Sequence, residues 1–287
     1  MTAYVKNIAA MLIFGSVGIF VRAIPLTSSE IVASRTILGS IFLCVILTLR
    51  KKKPEWKKVK ESLGMVAVTG IVMGLNWLFL FEAYQYTLVS VATLLYYFAP
   101  VFVLFLSPFL LGENLTRPKL MGIVAAVVGM ALVNGIQIQG AGSGKGVLYG
   151  ILSAVFYAGV ILLNKLTPDV PVVEKTLVQL LTAGAVMGAY AVFTHKGDFH
   201  MPQGWELLML LIVGIVHTGI AYLLYISSIS ELPGQTVALC SYIDPLSALL
   251  FSAVFLQEHL TALQMGGAAL ILGGSAFGEL YQKKEKL

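Results

Sequence analysis

The carboxylate of Asp244 lies in the middle of a long apolar stretch and stands directly before Pro245. No basic residue lies within one helical turn of it, so the sequence offers no local counter-ion. A carboxyl group in such surroundings is costly unless a ligand, a proton or a polar neighbour satisfies it. We therefore predict that Asp244 binds a positively charged group or a coupling proton. The alternative is a structural acid held by hydrogen bonds between helices.

Two prolines within apolar stretches predict local gaps in helical hydrogen bonding. Pro245 and Pro100 each lack a backbone N–H, which should free the carbonyls of Ser241 and Tyr96 four residues earlier. Ser241 lies three residues before Asp244 and therefore shares its helix face. We expect Ser241 and Tyr96 to face the same binding site from opposite walls.

Four further side chains in apolar stretches are candidate substrate ligands: Asn76, Trp77, His217 and Tyr222. For Asn76 and His217 the alternative is hydrogen bonding between helices, and for the two aromatic residues it is packing. His217 could titrate in the physiological range, but the sequence gives it no paired acid, so it is weak evidence for a proton relay.

Three other residues are assigned structural roles by their positions. Tyr242 lies two residues before Asp244 and points about 200° around the helix, so we expect it and Tyr97 to pack against neighbouring helices. Arg35 lies near the outer end of its apolar stretch, where a long side chain can extend toward water.

The sequence lacks the patterns of other function classes. It has no H-E-x-x-H, no paired acidic motif and no nucleophile elbow, so we predict no catalytic residue, no metal and no cofactor. Cys44 and Cys240 carry no motif and are interpreted as buried free thiols. The net charge of +5 comes without a nucleic-acid-binding signature, which argues against a nucleic-acid partner. A membrane-embedded enzyme and a channel remain the alternative functions.

The elements that hold these residues are predicted from hydropathy. The chain is 58% hydrophobic and 11% charged, whereas soluble domains carry about a quarter charged residues. Apolar stretches of about twenty residues, each long enough for one transmembrane helix, predict an all-α polytopic membrane protein with about ten crossings. The stretches are 4–21, 31–49, 63–83, 88–111, 120–136, 147–163, 176–193, 207–226, 236–256 and 262–280.

The distribution of basic residues predicts the orientation. The linker between residues 50 and 60 contains seven lysines and arginines, which places it in the cytoplasm under the positive-inside rule. With ten crossings, both termini then lie in the cytoplasm. We expect a multi-pass protein of a bacterial-type inner (plasma) membrane.

An internal repeat appears when Pro100–Val133 is aligned with Pro245–Gly278 without a gap. Prolines, glutamates and glycines coincide, including Glu113 with Glu258. We predict two five-helix repeats, residues 1–138 and 139–287. An odd number of crossings per repeat inverts the second relative to the first, which is a common architecture of secondary transporters.

The paired P-x12-E-x-L-T blocks, each followed by a glycine-spaced helix, resemble the two EamA domains of the drug/metabolite transporter superfamily. The resemblance covers nearly the whole chain. It implies ten helices, a central cavity between the halves and transport of small metabolites such as amino acids. The chain departs from the shortest multidrug relatives because its first helix, residues 4–21, has no acidic residue.

These observations together predict a secondary transporter that works by alternating access in the lipid bilayer. Because Asp244 is the acid placed deepest in a helix, we expect a small amine, cationic or zwitterionic metabolite rather than a bare anion. Proton coupling through the same carboxylate is an open alternative. A complete pair of inverted repeats can close its own cavity, so we expect a functional monomer.

Overall fold

The computed structural model describes residues 2–21, 23–50, 53–87, 89–134, 144–167, 169–194, 201–255 and 261–285, and these residues contain helices and no strand. The predicted apolar stretches are helical over their described residues, apart from turns at residues 97–98 and 241–242. The helices are α1 Ala3–Val21, α2 Ser28–Leu49, α3 Trp56–Glu61, α4 Leu63–Tyr86, α5 Val89–Tyr96, α6 Ala99–Leu111, α7 Arg117–Asn134, α8 Gly144–Lys165, α9 Val172–Thr194, α10 Gly204–Ile212, α11 Ala221–Glu231, α12 Gly234–Cys240, α13 Ile243–Phe255 and α14 Ala262–Glu285.

Seven helical spans in the described part of the chain are long enough and apolar enough to cross a membrane. They are Ala3–Val21, Ser28–Leu49, Leu63–Tyr86, Gly144–Lys165, Val172–Thr194, Gly204–Glu231 and Gly234–Phe255. Two shorter apolar helices, Ala99–Leu111 and Ala262–Gly278, accompany them. This is the pattern of a multi-pass membrane protein.

The outer surface of the bundle is apolar, and its largely apolar interior also holds buried polar side chains. Phe109 and Phe193 are 87% and 88% exposed, whereas Asn7, Thr69 and Ser107 are completely buried. This distribution suits a protein surrounded by hydrocarbon, where polar groups must find partners inside the bundle. The prediction that Cys44 is buried is wrong, because its thiol lies on the exposed side of α2.

Two of the membrane-length segments are broken at equivalent positions of the repeat. A turn at residues 97–98 separates α5 from α6, and a turn at residues 241–242 separates α12 from α13. The expectation of a freed Ser241 carbonyl needs correction, because this oxygen accepts a hydrogen bond of 3.3 Å from the Asp244 amide. The turn therefore gives the Ser241 carbonyl a local hydrogen-bond partner, which a continuous helix containing Pro245 would not provide.

A second irregularity lies between α10 and α11, where Val213–Ile220 forms π-helical turns. The hydroxyl of Thr218 donates to the Val213 carbonyl five residues earlier at 3.0 Å. On the opposite helix, Leu38 packs against Gly214 and Phe42 against Gly219. The wider turn changes which side chains share a face with α11.

Glycine contacts hold several helix pairs together at short range. A Cβ atom at Gly129 of α7 would lie 2.5 Å from the Gly267 carbonyl oxygen of α14, and one at Gly122 would lie 2.5 Å from the Gly274 carbonyl oxygen. Elsewhere α4 packs against α8 and α9, α2 against α9, and α1 against α11 and α13. Such close approach of backbones requires small residues at the contact.

We predict that Gly129→Ala destabilises the protein, because the added methyl group meets backbone atoms of α14 that cannot turn aside. Overpacking of this kind costs about 1–3 kcal/mol. The apparent melting temperature in detergent should therefore fall.

The matched control is Gly273→Ala, since a Cβ atom at Gly273 on α14 meets nothing within 4 Å. Alanine is the better helix former, so this control should be neutral or slightly stabilising. Equal effects of the two substitutions would contradict the proposed contact.

Candidate substrate-binding site

A cavity of about 450 Å³ lies within the bundle, a volume that suits a small organic ligand. Its walls come from α1, α2, α4, α5, α8, α11 and α13, with Tyr97 of the α5–α6 turn. Five of the seven predicted site residues line it: Asn76, Trp77, Tyr96, Tyr222 and Asp244. The cavity reaches Tyr84 and Thr93 on either side of the α4–α5 connection, so it extends toward that end of the bundle.

Asp244 is placed in the first turn of α13, immediately after the break in the segment. Tyr97, which lies in the turn between α5 and α6, donates its hydroxyl proton to Asp244 Oδ2 at 3.3 Å. Tyr97 packs against neighbouring helices as expected, together with Tyr242, but it also lines the cavity. Tyr242 donates its hydroxyl proton to the Tyr97 carbonyl at 3.2 Å. Asp244 thus presents a carboxylate held by one neutral donor.

Arg35 of α2 lines the same cavity instead of extending toward water. Its guanidinium carbon lies 4.7 Å from the centroid of the Trp77 ring, a cation–π arrangement. The Arg35 Nε atom is buried without a hydrogen-bond partner. Within the described ranges, no ion pair involves Arg35 or Asp244. The cavity therefore offers one group of each charge, and they do not neutralise each other.

Aromatic rings form a continuous wall between the two charged groups. Trp77 meets Tyr222 edge-on with centroids 5.7 Å apart, and Tyr222 contacts Phe14 at 5.0 Å. At the other end, Tyr96 stacks on Tyr157 at 5.1 Å with an interplanar angle of 4°. Tyr225 joins the two parts: its ring lies 5.9 Å from that of Phe14, and its hydroxyl donates to the Tyr157 hydroxyl at 3.3 Å. Such a wall suits the apolar body of a ligand and the ring faces suit an ammonium group.

Asn76 has a partner in the protein although it lines the cavity. Its amide nitrogen donates to the Ser153 carbonyl on α8 at 2.7 Å, and its side chain is almost fully buried. This is the hydrogen bond between helices that we expected as the alternative to a ligand role for Asn76. Asn76 therefore fixes α4 against α8 through one N–H, and its amide oxygen and second N–H remain available for contact with a ligand.

Ser241 and His217 do not line the cavity. Ser241 lies behind Tyr157, whose hydroxyl donates to Ser241 Oγ at 3.3 Å, while Ser241 itself donates to the Val237 carbonyl. His217 sits in the π-helical segment, 3.0 Å from the Ser16 hydroxyl through Nε2. Four residues no longer make one turn there, so His217 leaves the face that α-helical spacing assigned to it.

Arg35, Tyr97, Tyr157 and Phe14 are cavity residues that sequence reasoning missed or assigned elsewhere. An arginine inside an apolar stretch is a functional candidate by default, and that signal was available for Arg35. Tyr157 follows Phe14 by 143 residues, the spacing that also relates Lys165 to Arg22. Arg22 lies outside the described residues. The repeat therefore contained the Phe14–Tyr157 pair, although an aromatic residue in an apolar helix gives little signal alone.

Comparison with known proteins identifies the family. The chain is 32% identical over 282 residues to the uncharacterized transporter YxxF of Bacillus subtilis (strain 168), covering 96% of this chain and 88% of that protein. It is 28% identical over 300 residues to the uncharacterized transporter YetK of the same organism, covering 99% and 88%. A crystal structure of a protein with 20% identity shares the fold, with a TM-score of 0.84 over 99% of both chains.

The model of the EamA-like transporter family matches residues 1–135 and again residues 144–277. These two matches cover most of the sequence and confirm the resemblance that the repeated motifs indicated. The chain belongs to the EamA-like transporter family.

Proposed function

We propose that this protein is a secondary transporter of a small zwitterionic metabolite, such as an amino acid. The carrying observation is that Arg35 and Asp244 line one cavity without forming an ion pair with each other. A zwitterion presents a carboxylate to Arg35 and an ammonium group to Asp244. Of the predicted cargo classes, amines and other cations leave the Arg35 guanidinium without a ligand group.

The proposed mechanism is alternating access between two five-helix repeats, residues 1–138 and 139–287, with ten crossings in total. The packing of the helices supports it, because α1 contacts α11 and α13 much as α8 contacts α4 and α6. In alternating access, each repeat adopts the conformation of the other, so the contacts of α1 and those of α8 would change places. The boundary falls in residues 135–143, outside the described part, and the two family-model matches lie on either side of it.

The proposed setting is an inner (plasma) membrane with both termini in the cytoplasm. The basic linker before α4 then lies in the cytoplasm, and the cavity opens toward the outer side because it reaches the α4–α5 connection. We further propose a functional monomer, because a complete pair of inverted repeats can close its own cavity.

A second role of Asp244 is compatible with the same geometry. The carboxyl group could bind and release a coupling proton while the substrate ammonium competes for the same oxygens. The Tyr97 hydroxyl is compatible with both roles, since it can donate to the Asp244 carboxylate or accept from the protonated carboxyl group.

We predict that the purified protein distinguishes an amino acid from its decarboxylated amine and its deaminated acid. Only the zwitterion engages both charged groups, so only it should raise the melting temperature in a thermal-shift screen of such matched sets. Arg35→Gln should weaken binding of the zwitterion by tenfold or more, since a hydrogen bond to a charged group contributes about 1.5–3 kcal/mol. Arg117→Gln, at an exposed position beyond the cavity, is the matched control.

Equal stabilisation by the amine and the zwitterion, with no effect of Arg35→Gln, would show that the protein does not recognise the substrate carboxylate. The proposed substrate class would then be simple cations.

We predict that Asp244→Asn removes either substrate binding or pH-driven accumulation in proteoliposomes. Loss of binding supports the ligand role, because the amide cannot neutralise an ammonium group. Retained binding with lost dependence on a pH gradient supports the proton role. Asp169→Asn, which changes an exposed carboxylate outside the cavity, should alter neither measurement. If Asp244→Asn leaves both unchanged, the proposed role of this residue is wrong.

We predict that a thiol placed at exposed Gln203 reacts with a membrane-impermeant reagent added to intact cells, and that one placed at exposed Lys57 does not. Gln203→Cys and Lys57→Cys are compared after Cys44 and Cys240 are replaced by alanine. The reverse labelling pattern would overturn the orientation.

A further inference from the structure

The connection between α11 and α12, residues 230–235, is held by charged side chains from four other parts of the chain, one of which is Lys6 of α1 in an ion pair with Glu231. We call it the corner. It lies at the end of the bundle opposite the one that the cavity approaches, and the proposed orientation places it at the cytoplasmic face. Its own sequence, Ser-Glu-Leu-Pro-Gly-Gln, leaves backbone N–H groups at the start of α12 without helical partners.

Glu113 supplies the partners for these amides. It follows the α6 C-cap Gly112 and accepts from the Gly234 amide at 2.5 Å through Oε1 and from the Gln235 amide at 3.0 Å through Oε2. The Gln235 side chain also donates to the buried Ser107 hydroxyl of α6 at 2.7 Å. One carboxylate therefore joins the end of α6 to the start of α12 across 121 residues of sequence.

Two lysines hold the same corner from the other side. Lys165 at the end of α8 donates to the Leu232 carbonyl at 2.9 Å. Lys175 of α9 donates to the Ser230 hydroxyl at 3.2 Å and to the Thr167 carbonyl at 2.9 Å. Hydrogen bonds with a charged partner are stronger than neutral ones, and these three groups bind the corner through its backbone and one hydroxyl.

The corner and the cavity are separated by packed side chains. Ala10 and Met11 of α1, Ile161 of α8 and Ile226 and Ile229 of α11 are completely buried there. Along α11, cavity-lining Tyr225 lies five residues before Ser230, the first residue of the corner, which corresponds to about 7.5 Å of helix. Movement of the corner would therefore loosen the packed layer between the cavity and the cytoplasmic face.

The corner is also continuous with the binding site. α12 has seven residues, begins at the amides bound by Glu113 and ends at the break before Asp244. A displacement of α12 must therefore be transmitted to the carboxylate that lines the cavity.

We propose that the Glu113 carboxylate is the latch that holds the cytoplasmic end of the cavity closed, and that its release from Gly234 and Gln235 opens the cavity to the cytoplasm. The proposal rests on the alternating access proposed above. Glu113 is in this sense a positioning residue, because it acts on Asp244 through α12 and does not line the cavity.

The test measures the labelling rates of two thiols with a membrane-impermeant reagent, after Cys44 and Cys240 are replaced by alanine. Ile229→Cys reports from the buried layer and is probed on inside-out vesicles. Gly18→Cys reports from the cavity wall, where a Cβ atom meets nothing within 4 Å, and is probed on intact cells. In Glu113→Gln, an NH₂ group replaces one acceptor oxygen and the charge is lost.

We expect Glu113→Gln to raise the labelling rate at position 229 by roughly tenfold, which corresponds to about 1.4 kcal/mol. The rate at position 18 should fall or stay level, since the two open states exclude each other. Glu61→Gln, which neutralises an exposed carboxylate on α3, should change neither rate. An unchanged rate at position 229 overturns the proposal, and so does a joint rise at both positions, which would indicate general loosening of the fold.

Lys165→Gln is the second variant, for use if Glu113→Gln does not yield folded protein. It removes one hydrogen bond from the same corner and should shift the rates in the same direction by a smaller factor, and its failure to do so also counts against the latch. Labelling requires no substrate, so a failed latch leaves the response to a zwitterion intact. Fast labelling of both positions in the protein that retains Glu113 would instead contradict alternating access itself.

Discussion

Within an apolar bundle, every backbone amide that loses its helical partner must find another one, and this constraint defines both ends of α12, the short helix that precedes Asp244. At its start, the amides of Gly234 and Gln235 are satisfied by Glu113 from a distant part of the chain. At its end, the Asp244 amide donates to the Ser241 carbonyl within a tight turn. With both of its ends fixed in this way, α12 holds the start of α13, and with it Asp244, at a defined position in the bundle.

The cavity shows how unlike residues at related positions create polarity in a repeated architecture. The sequence repeat pairs Asp244 with Ala99 and Tyr96 with Ser241, so the Asp244 carboxyl group and the Tyr96 ring each lack a counterpart at the paired position. Arg35 adds the opposite charge over Trp77, at a distance from Asp244 too great for an ion pair. Charges kept apart in a medium of low dielectric remain strong ligands, because neither is neutralised by the other.

Glycines and aromatic residues set different distances between the helices of the bundle. The contact between α7 and α14 depends on backbones close enough that Gly122 and Gly129 face carbonyl oxygens. The helices around the cavity are instead kept apart by rings such as Tyr157 and Tyr222. Close packing in one region and bulky rings in the other leave a ligand-sized space beside a rigid pair of helices.

The sequence alone determined the helical segments, the repeat and the central place of Asp244, because hydropathy, proline and glycine spacing are local properties that a bilayer constrains strongly. It also assigned Trp77, Tyr96 and Tyr222 to one binding site, and all three line the cavity. Tertiary structure decided which faces turn inward. The π-helical segment turned His217 toward Ser16, the Trp77 ring drew Arg35 into the cavity, and Tyr97 turned toward Asp244. Only the folded chain could bring Glu113 to Gly234, because helix irregularities and distant partners leave no periodic signal in the sequence.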